Sequence, residues 1–213
     1  MKITLTDAGK RFNRDWIFRH FSYEFNSGCA YAITGPNGSG KSTLLQVIAG
    51  SIAASEGTLY YESTNGLSVA AERFHQYISL SAPYLEVIEE MTLLEFLRFH
   101  QTFKAFLPGL TLEKISTLTG LSQAAGKQIR YYSSGMKQRV KLAQALFTDT
   151  PVILLDEPCT NLDQEGIALY QRLIAEYCSS RLVIVSSNDQ QEYAFCEKKL
   201  DILQFKGISA GLQ

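Results

Sequence analysis

The stretch GPNGSGKS at residues 35–42 decides the fold of this chain, because it joins a strand pattern to a helix pattern. The apolar run Ala30–Thr34 before it is typical of a strand, and the apolar residues between 44 and 48 have helical spacing. A G-x-x-x-x-G-K-[ST] stretch in this context is a phosphate-binding loop, whose backbone N–H groups surround phosphate oxygens. We therefore expect Lys41 to reach the β- and γ-phosphates of a nucleotide and Ser42 to coordinate Mg²⁺.

A second motif, VILLDE at residues 152–157, ends an apolar run with two carboxylates. An uninterrupted apolar run is typical of a strand that is buried on both faces of a parallel sheet. Open α/β sheets bind ligands at the carboxyl ends of such strands. The motif therefore predicts that Asp156 serves the metal from a strand neighbouring the phosphate loop. It also predicts that Glu157 orients and deprotonates the attacking water.

Strand and helix patterns alternate along the rest of the chain, as in βαβ units. Runs bounded by turn residues predict further strands at Ile3–Thr6, Phe21–Phe25, Thr58–Tyr61, Tyr77–Leu80 and Leu182–Val185. Helical spacing and N-cap residues predict helices after Thr92 and Thr111 and over residues 134–147 and 164–178. Because the pattern between about 85 and 146 is helical, we expect a helical insertion that divides the sheet in sequence.

The composition is that of an ordinary globular chain: of 213 residues, 46% are hydrophobic and 19% are charged, and the formal net charge is −1. This balance excludes a disordered chain and a basic surface that wraps nucleic acid, so we expect no nucleic-acid partner. The four cysteines form no CxxC pair, which argues against a zinc site and for reduced thiols. No apolar run reaches the roughly 18 residues that cross a bilayer, and the first residues lack a secretory signal. We therefore expect the protein to stay in the compartment where it is made.

A third motif, YSSGMKQR at residues 132–139, places two hydroxyl side chains and a glycine at a helix start, where an anion is favoured. It precedes the Asp-Glu strand and resembles the LSGGQ-type signature of ATP-binding-cassette (ABC) ATPases. The sequence DEP at 156–158, and NLD at 161–163, which looks like the D-loop of that family, extend the resemblance. With the phosphate loop, these four ordered motifs make the chain similar to an ABC ATPase over nearly its whole length.

The resemblance implies a fold class and an assembly. The fold is α/β, with a P-loop NTPase core of mixed or parallel sheet flanked by helices, an N-terminal antiparallel β subdomain and an inserted α-helical subdomain. We expect one nucleotide-binding domain over residues 1–213, with the core at about 1–84 and 150–213 and the helical insertion at about 85–149. In ABC ATPases two such domains close head to tail on two ATP molecules. Each site then joins the phosphate loop of one chain to the signature of the other.

The resemblance also assigns site residues. An aromatic residue stacks on adenine in ABC ATPases, and Phe12 looks like that residue, with Trp16 as the second choice. The implied cofactors are ATP and Mg²⁺. The catalytic residues are then Glu157 and Asn188, and the metal ligands are Ser42 and Asp156. The nucleotide-binding residues are Phe12, Gly35, Pro36, Asn37, Gly38, Ser39, Gly40, Lys41, Ser42, Thr43, Ser133, Ser134, Gly135 and Met136.

Three positions depart from the family pattern. Ser134 stands where the signature usually has a glycine, which adds a hydroxyl near the phosphate. Asn188 stands where ABC ATPases have a histidine, and since an amide donates a hydrogen bond but carries no positive charge, we expect slower hydrolysis. The glutamine at the junction into the helical insertion falls on Ala82 or Pro83, neither of which coordinates metal, so that Glu86 or a water is the substitute. We expect ATP binding to be intact and catalysis to be retained but weak.

These observations lead to the hypothesis of an ABC transporter subunit that hydrolyses ATP and couples dimer closure to substrate movement by separate membrane subunits. We expect a homodimer, peripheral on the cytoplasmic face of the membrane, with permease subunits docked on exposed apolar residues such as Tyr84, Leu85, Val87 and Ile88. One alternative is a non-transport ABC ATPase with a soluble partner, although such relatives usually carry two cassettes or a long coiled coil. Another is a nucleotide-binding module with weak or lost hydrolysis, which Asn188 and the absent glutamine favour and Glu157 opposes.

Overall fold

Two sheets form the framework of the structure, a computed structural model that describes residues 1–206. The nine strands of these residues are Lys2–Phe12 (β1), Asp15–Asn26 (β2), Ala30–Thr34 (β3), Glu56–Glu62 (β4), Ser68–Val69 (β5), Ile78–Ser81 (β6), Val152–Asp156 (β7), Leu182–Ser186 (β8) and Lys198–Asp201 (β9). An antiparallel sheet has the order β2-β1-β4-β5, and a parallel sheet has the order β6-β7-β8-β3-β9.

Helices connect and flank these strands. The α-helices are Lys41–Ile48 (α1), Ala71–Phe74 (α2), Leu93–Gln101 (α3), Leu112–Leu118 (α4), Ser134–Phe147 (α5), Gln164–Tyr177 (α6) and Gln190–Tyr193 (α7). Short 3₁₀ helices cover His75–Tyr77, Ser122–Ala124, Ile129–Tyr131 and Ile202–Phe205. Within residues 1–206, none of the helices combines the length and the hydropathy that crossing a bilayer requires.

Strand β7 is buried on both faces, as its uninterrupted apolar run predicts. Val152 and Leu154 belong to the core that also contains side chains of the antiparallel sheet and α1. Ile153 and Leu155 belong to the core that contains side chains of α5 and α6. Because side chains alternate along a strand, both layers of the fold pack on this one strand.

The helices of the insertion begin where the capping residues predict. Thr92 and Glu95 form a capping box, in which the Thr92 hydroxyl accepts from Glu95 N–H and the Glu95 carboxylate accepts from Thr92 N–H at 2.8 Å. The Thr111 hydroxyl accepts from Lys114 N–H at 3.2 Å at the start of α4. These contacts satisfy N–H groups that have no partner within the helix, so each helix begins at a defined residue.

The β1–β2 hairpin is longer than the predicted strands Ile3–Thr6 and Phe21–Phe25. The two strands pair as far as Phe12 and Asp15, and Asn13 turns the chain with a left-handed φ of 53°. Register shifts in β1 break the alternation of apolar and polar residues on which strand prediction depends. The missing half of each strand was therefore not visible as a periodic pattern.

The sheet order corrects one prediction. Strand β8 lies between β3 and β7, so the strand of Asp156 is not the direct neighbour of the phosphate-loop strand. Asp156 pairs with Ser186 of β8, and Ser186 pairs with Ile33 of β3, which places the three strand ends in one row. Helices α3, α4 and α5 lie between β6 and β7 in sequence. The division of the domain at about 85 and 149 stays a prediction, and its end at 207–213 lies outside the described residues.

Arg181, just before β8, ties the ends of two helices together. It is 8% exposed, and its guanidinium donates to Leu146 O at 2.5 Å and Thr148 O at 2.9 Å, at the end of α5. It also donates to Tyr177 O at 2.7 Å, at the end of α6. The last carbonyls of a helix have no intrahelical partner, and a positive charge is favourable at this end of the helix dipole. Arg181 therefore holds α5 and α6 in a common arrangement.

Replacing Arg181 with methionine is expected to lower the free energy of unfolding by about 3 kcal/mol, because buried carbonyls lose a charged donor. Urea denaturation of the purified protein measures this change. Arg172→Met, on the exposed face of α6, is the matched control and is expected to change the free energy by less than about 0.5 kcal/mol. A loss for Arg181→Met no larger than that of the control contradicts this role.

Candidate functional site

The phosphate loop leaves β3 and enters α1 through glycines with left-handed backbone. Gly35 has a φ of 142° and Gly40 a φ of 104°, conformations that residues with a side chain rarely adopt. A Cβ atom at Gly40 would also lie 2.4 Å from Cγ2 of Ile17. Two of the glycines in the motif are therefore required by the backbone itself.

Lys41 lies inside the loop and is only 4% exposed. Its ammonium group donates to the carbonyl oxygens of Gly35 at 2.9 Å and Pro36 at 3.2 Å, and Ser39 N–H closes the loop onto Pro36 O at 3.1 Å. An adjacent cavity of about 210 Å³ is lined by Ile17, Asn37, Gly38, Gly40, Lys41, Ser42, Thr43 and Glu157. The structure thus brings Glu157 to the phosphate loop.

Asp156 ends β7 with a side chain that is 2% exposed, and no described residue donates a hydrogen bond to its Oδ1. A buried carboxylate oxygen is costly unless a donor or a cation satisfies it. Ser42, at the start of α1, adds a hydroxyl oxygen, and Mg²⁺ prefers one or two carboxylates together with substrate phosphates. These residues fit Mg²⁺. Within residues 1–206, no group of three His, Cys, Asp or Glu residues is arranged to hold a metal ion.

The signature forms the N-terminus of α5. The Ser133 hydroxyl caps the helix by accepting from Met136 N–H at 3.2 Å, and Ser133 and Ser134 are exposed. A Cβ atom at Gly135 would lie 2.9 Å from Asn161 O in the D-loop-like segment. The helix start therefore accepts a side chain at Ser134, whereas the next position has to be glycine.

Asn188 follows β8 and reaches the phosphate loop. Its Nδ2 donates to Asn37 Oδ1 at 3.0 Å, which joins residues that are 151 positions apart. The contact places the amide at the loop that is predicted to hold the phosphates. An amide at this place donates a hydrogen bond but adds no charge.

Phe12, predicted to stack on adenine, ends β1 with its ring 49% exposed, so it is not a core residue of the hairpin. Trp16 lies between Arg11 and Arg19, whose guanidinium groups are 5.5 and 4.5 Å from its ring centroid. The hairpin residue that lines the phosphate cavity is Ile17. Sequence reasoning missed Ile17 because an aliphatic residue in a strand carries no signal of ligand contact.

The segment after β6, where ABC ATPases have a glutamine, contains Tyr84 as a polar side chain near Asp156. Ala82 is completely buried, and Glu86 lines a separate cavity with Ser134 and Lys141. The Tyr84 hydroxyl instead lies near Gln46 and Asp156, and burial raises its pKa. Gln46 is four residues after Ser42 on α1 and so shares its helix face, a spacing that the sequence analysis did not use.

Three of the four apolar residues that the sequence analysis expected to be exposed in this segment are exposed. Tyr84, Leu85 and Ile88 are 47%, 36% and 37% exposed. Val87, which the sequence analysis counted with them, is only 8% exposed and packs in the core that contains Leu93. The prediction for Val87 was wrong because the segment is irregular, so no periodicity indicates which side chains face inward.

Comparison with known proteins decides the family. A family model described as "ABC transporter" matches residues 18–160, about two thirds of the chain. This chain belongs to the ABC transporter family. It is 29% identical over 213 residues to the cytochrome c biogenesis ATP-binding export protein CcmA of Agrobacterium fabrum, with 98% of each chain covered. It is 30% identical over 217 residues to CcmA of Rhizobium johnstonii, with 100% of this chain and 99% of the relative covered.

The fold of the ABC transporter cassette is confirmed by the solved structures. The dimeric structure of the cassette MJ0796 has a TM-score of 0.80 at 22% identity, with 94% of each chain covered. The chain is therefore an ATP-binding and ATP-hydrolysing subunit of an ABC transporter. The matched range of the family model contains the phosphate loop, the signature and Glu157, whereas Phe12 and Asn188 lie outside it.

Replacing Asn188 with histidine is expected to raise steady-state ATP turnover about tenfold, because an imidazole can carry positive charge beside the γ-phosphate. Phosphate release at saturating Mg-ATP measures the change. Asn188→Ala is the control for loss of the side chain and is expected to lower turnover. Unchanged or lower turnover in Asn188→His contradicts the expectation that the amide slows hydrolysis.

Proposed function

We propose that two copies of this chain close head to tail, so that Mg-ATP at the phosphate loop of one copy is sealed by the signature helix of the other. Glu157 acts as the general base on the attacking water. Asn188 donates a hydrogen bond to the γ-phosphate, and Phe12 stacks on adenine. The homodimer is peripheral on the cytoplasmic face of the membrane, where its closure drives substrate movement by separate permease subunits.

This proposal rests on one observation: within one chain, the signature does not line the phosphate cavity. The described residues that line that cavity include Glu157 but none of Ser133, Ser134 and Gly135. The two serines are exposed at the N-terminus of a 14-residue helix, where the helix dipole favours an anion. Each chain thus has a base beside a phosphate loop and a second anion site elsewhere. A second copy in head-to-tail orientation supplies the part that each site lacks.

The chemistry follows from these positions. Lys41 offsets negative charge on the β- and γ-phosphates, and a bound Mg²⁺, which Ser42 and Asp156 would hold, would supply further positive charge to the phosphates. Glu157 accepts a proton from the water as the water oxygen bonds to the γ-phosphorus, and the bond from this phosphorus to the β,γ-bridging oxygen breaks, so that ADP and inorganic phosphate are released. The partner's signature helix would supply further hydrogen-bond donors to the γ-phosphate. Since neither chain alone has both halves, hydrolysis depends on closure.

The segment between β6 and α3 is the proposed docking surface for the membrane subunits. Its exposed apolar residues include Leu85 and Ile88. The segment is bound to the signature helix, because Lys141 Nζ donates to Pro83 O at 3.1 Å and Lys137 Nζ lies 2.5 Å from Glu89 Oε1. Movement of a membrane subunit on this surface would therefore shift α5, whose N-terminus is the signature that closes the site of the other copy.

Glu157→Gln is expected to reduce steady-state ATP turnover at least about a hundredfold while ATP affinity is kept, because only the base is removed. Gel filtration with saturating Mg-ATP is expected to show this variant as a dimer, since the closed state is no longer hydrolysed. Glu165→Gln, an exposed carboxylate of α6, is the matched control for turnover. The proposal is contradicted if the Glu157→Gln protein stays monomeric with Mg-ATP, both in solution and on its membrane partner.

Ile88→Asp is expected to remove most of the polytopic membrane protein that copurifies with tagged protein from solubilised membranes, because a charge is introduced into the apolar docking surface. Leu67→Asp is the matched control, since Leu67 is 67% exposed and lies near β5. Purified Ile88→Asp is expected to keep parental ATP turnover. Equal recovery of the membrane protein with both variants contradicts docking at this segment, and recovery of soluble proteins alone favours a non-transport role.

A further inference from the structure

The turn that follows β7 has every backbone hydrogen-bonding group from Glu157 to Cys159 satisfied. Glu157 N–H donates to Ser186 O at 2.9 Å, and Glu157 O accepts from Thr160 N–H at 3.1 Å and from the Thr160 hydroxyl at 2.9 Å. Glu157 itself has a φ of 43°, a left-handed conformation that is uncommon for a residue with a side chain. Such a conformation persists only when its surroundings enforce it. The direction of the Glu157 carboxylate thus depends on this turn.

Two buried side chains hold the next peptide group of the turn from opposite ends. Gln138 Nε2 donates to Pro158 O at 2.7 Å, and Glu192 Oε1 accepts from Cys159 N–H at 2.6 Å. The carbonyl of Pro158 and the N–H of Cys159 belong to one planar peptide unit. Gln138 is 3% exposed and Glu192 is 4% exposed, so neither contact competes with bulk water.

We propose that Gln138 and Glu192 are positioning residues for hydrolysis, which clamp the 158–159 peptide and so fix the direction of the Glu157 carboxylate. Neither side chain lines the phosphate cavity, so both act through the turn and not on the nucleotide. This inference rests on the proposed role of Glu157 as the base.

The clamp joins three parts of the proposed mechanism. Gln138 lies on α5, four residues after Ser134, so the contact links the signature helix to the turn of the base. Glu192 lies four residues after Asn188, so its contact links the segment that contains Asn188 to the same peptide. Gly135 also lies close to Asn161 O, in the D-loop-like segment that follows this turn. A shift of α5 is therefore transmitted to Glu157 through one peptide plane.

The chemistry of Glu192 argues that it is not there for stability alone. A buried carboxylate is costly, and burial raises the pKa of Glu192. Among residues 1–206, no Lys or Arg forms an ion pair with it. Its main-chain oxygen accepts from the Tyr170 hydroxyl at 2.8 Å, so α7 is anchored independently of the carboxylate. An apolar side chain would fill this place at lower cost if anchoring were the only requirement.

Gln138→Met and Glu192→Met test the clamp, because each removes one contact to the peptide and keeps side-chain volume. Each is expected to lower kcat about tenfold or more, while the Kd for a fluorescent ATP analogue stays within about twofold, because misplacement of a catalytic group costs rate and not binding. Glu192→Gln keeps an acceptor for Cys159 N–H and is expected to recover most of the kcat. Thr119→Val, which removes a buried hydroxyl donor directly after α4, is the control for loss of a buried hydrogen bond.

The double variant tests whether both residues act on the same peptide. The fold reduction in kcat of the double variant is expected to be clearly smaller than the product of the two single fold reductions. Once one contact to the 158–159 peptide is lost, the remaining contact fixes its orientation only weakly. Strictly multiplicative losses overturn the shared clamp. Folded single variants with the parental kcat, or with kcat and ATP affinity reduced together, overturn the positioning role.

A second pair of variants keeps the test decisive if the methionine proteins do not fold. Gln138→Glu is nearly isosteric but faces Pro158 O with an oxygen, so it is expected to lose kcat, whereas Glu192→Gln is expected to keep it. The reverse order overturns the proposal. Glu157→Gln is measured in parallel. Parental turnover in Glu157→Gln refutes the base itself, whereas lost turnover there with parental kcat in the Gln138 and Glu192 variants refutes the clamp alone.

Discussion

Parallel pairing among β7, β8 and β3 is the constraint on which the site depends. Asp156, Ser186 and Ile33 stand opposite one another in these strands, so their carboxyl ends form one row. Glu157, the proposed base, follows β7, Asn188 follows β8, and the phosphate loop follows β3. Because all three strands run in the same direction, segments that are far apart in sequence meet at one edge of the sheet. The Asn188–Asn37 contact, across 151 positions, shows how far this convergence reaches.

A chain of contacts connects this edge to the surface proposed for the membrane partner. The segment between β6 and α3 is bound to α5 through Lys137 and Lys141. Helix α5 carries the signature at its start and contacts the turn after β7 through Gln138. At its other end α5 is joined to α6 by Arg181. The helix is thus held at several points by buried or charged contacts, which suits an element that moves as a rigid unit.

Local patterns predicted most of the fold. The Thr92–Glu95 spacing predicted the capping box at the start of α3, and the apolar run before Asp156 predicted a strand buried on both faces. Both features depend on residues that are close in sequence. The prediction was weaker where a regular pattern is interrupted. Register shifts in β1 hid half of the N-terminal hairpin, and an irregular backbone hid the burial of Val87. The order of the strands was also beyond local patterns, because pairing partners are not neighbours in sequence.

The sequence by itself determined the phosphate loop, the paired carboxylates and the signature, because each is a short stretch whose residue types indicate its chemistry. Together these motifs also indicated the family. Only the tertiary structure decided which groups meet. It separated the signature from the phosphate cavity of its own chain, placed Ile17 in that cavity, and joined Gln138 and Glu192 to one peptide. The Gln138 and Glu192 contacts link residues that are 20 and 33 positions apart. The periodicity of apolar residues does not predict such contacts. They depend on how helices and strands pack against one another, and not on residues that are neighbours in sequence.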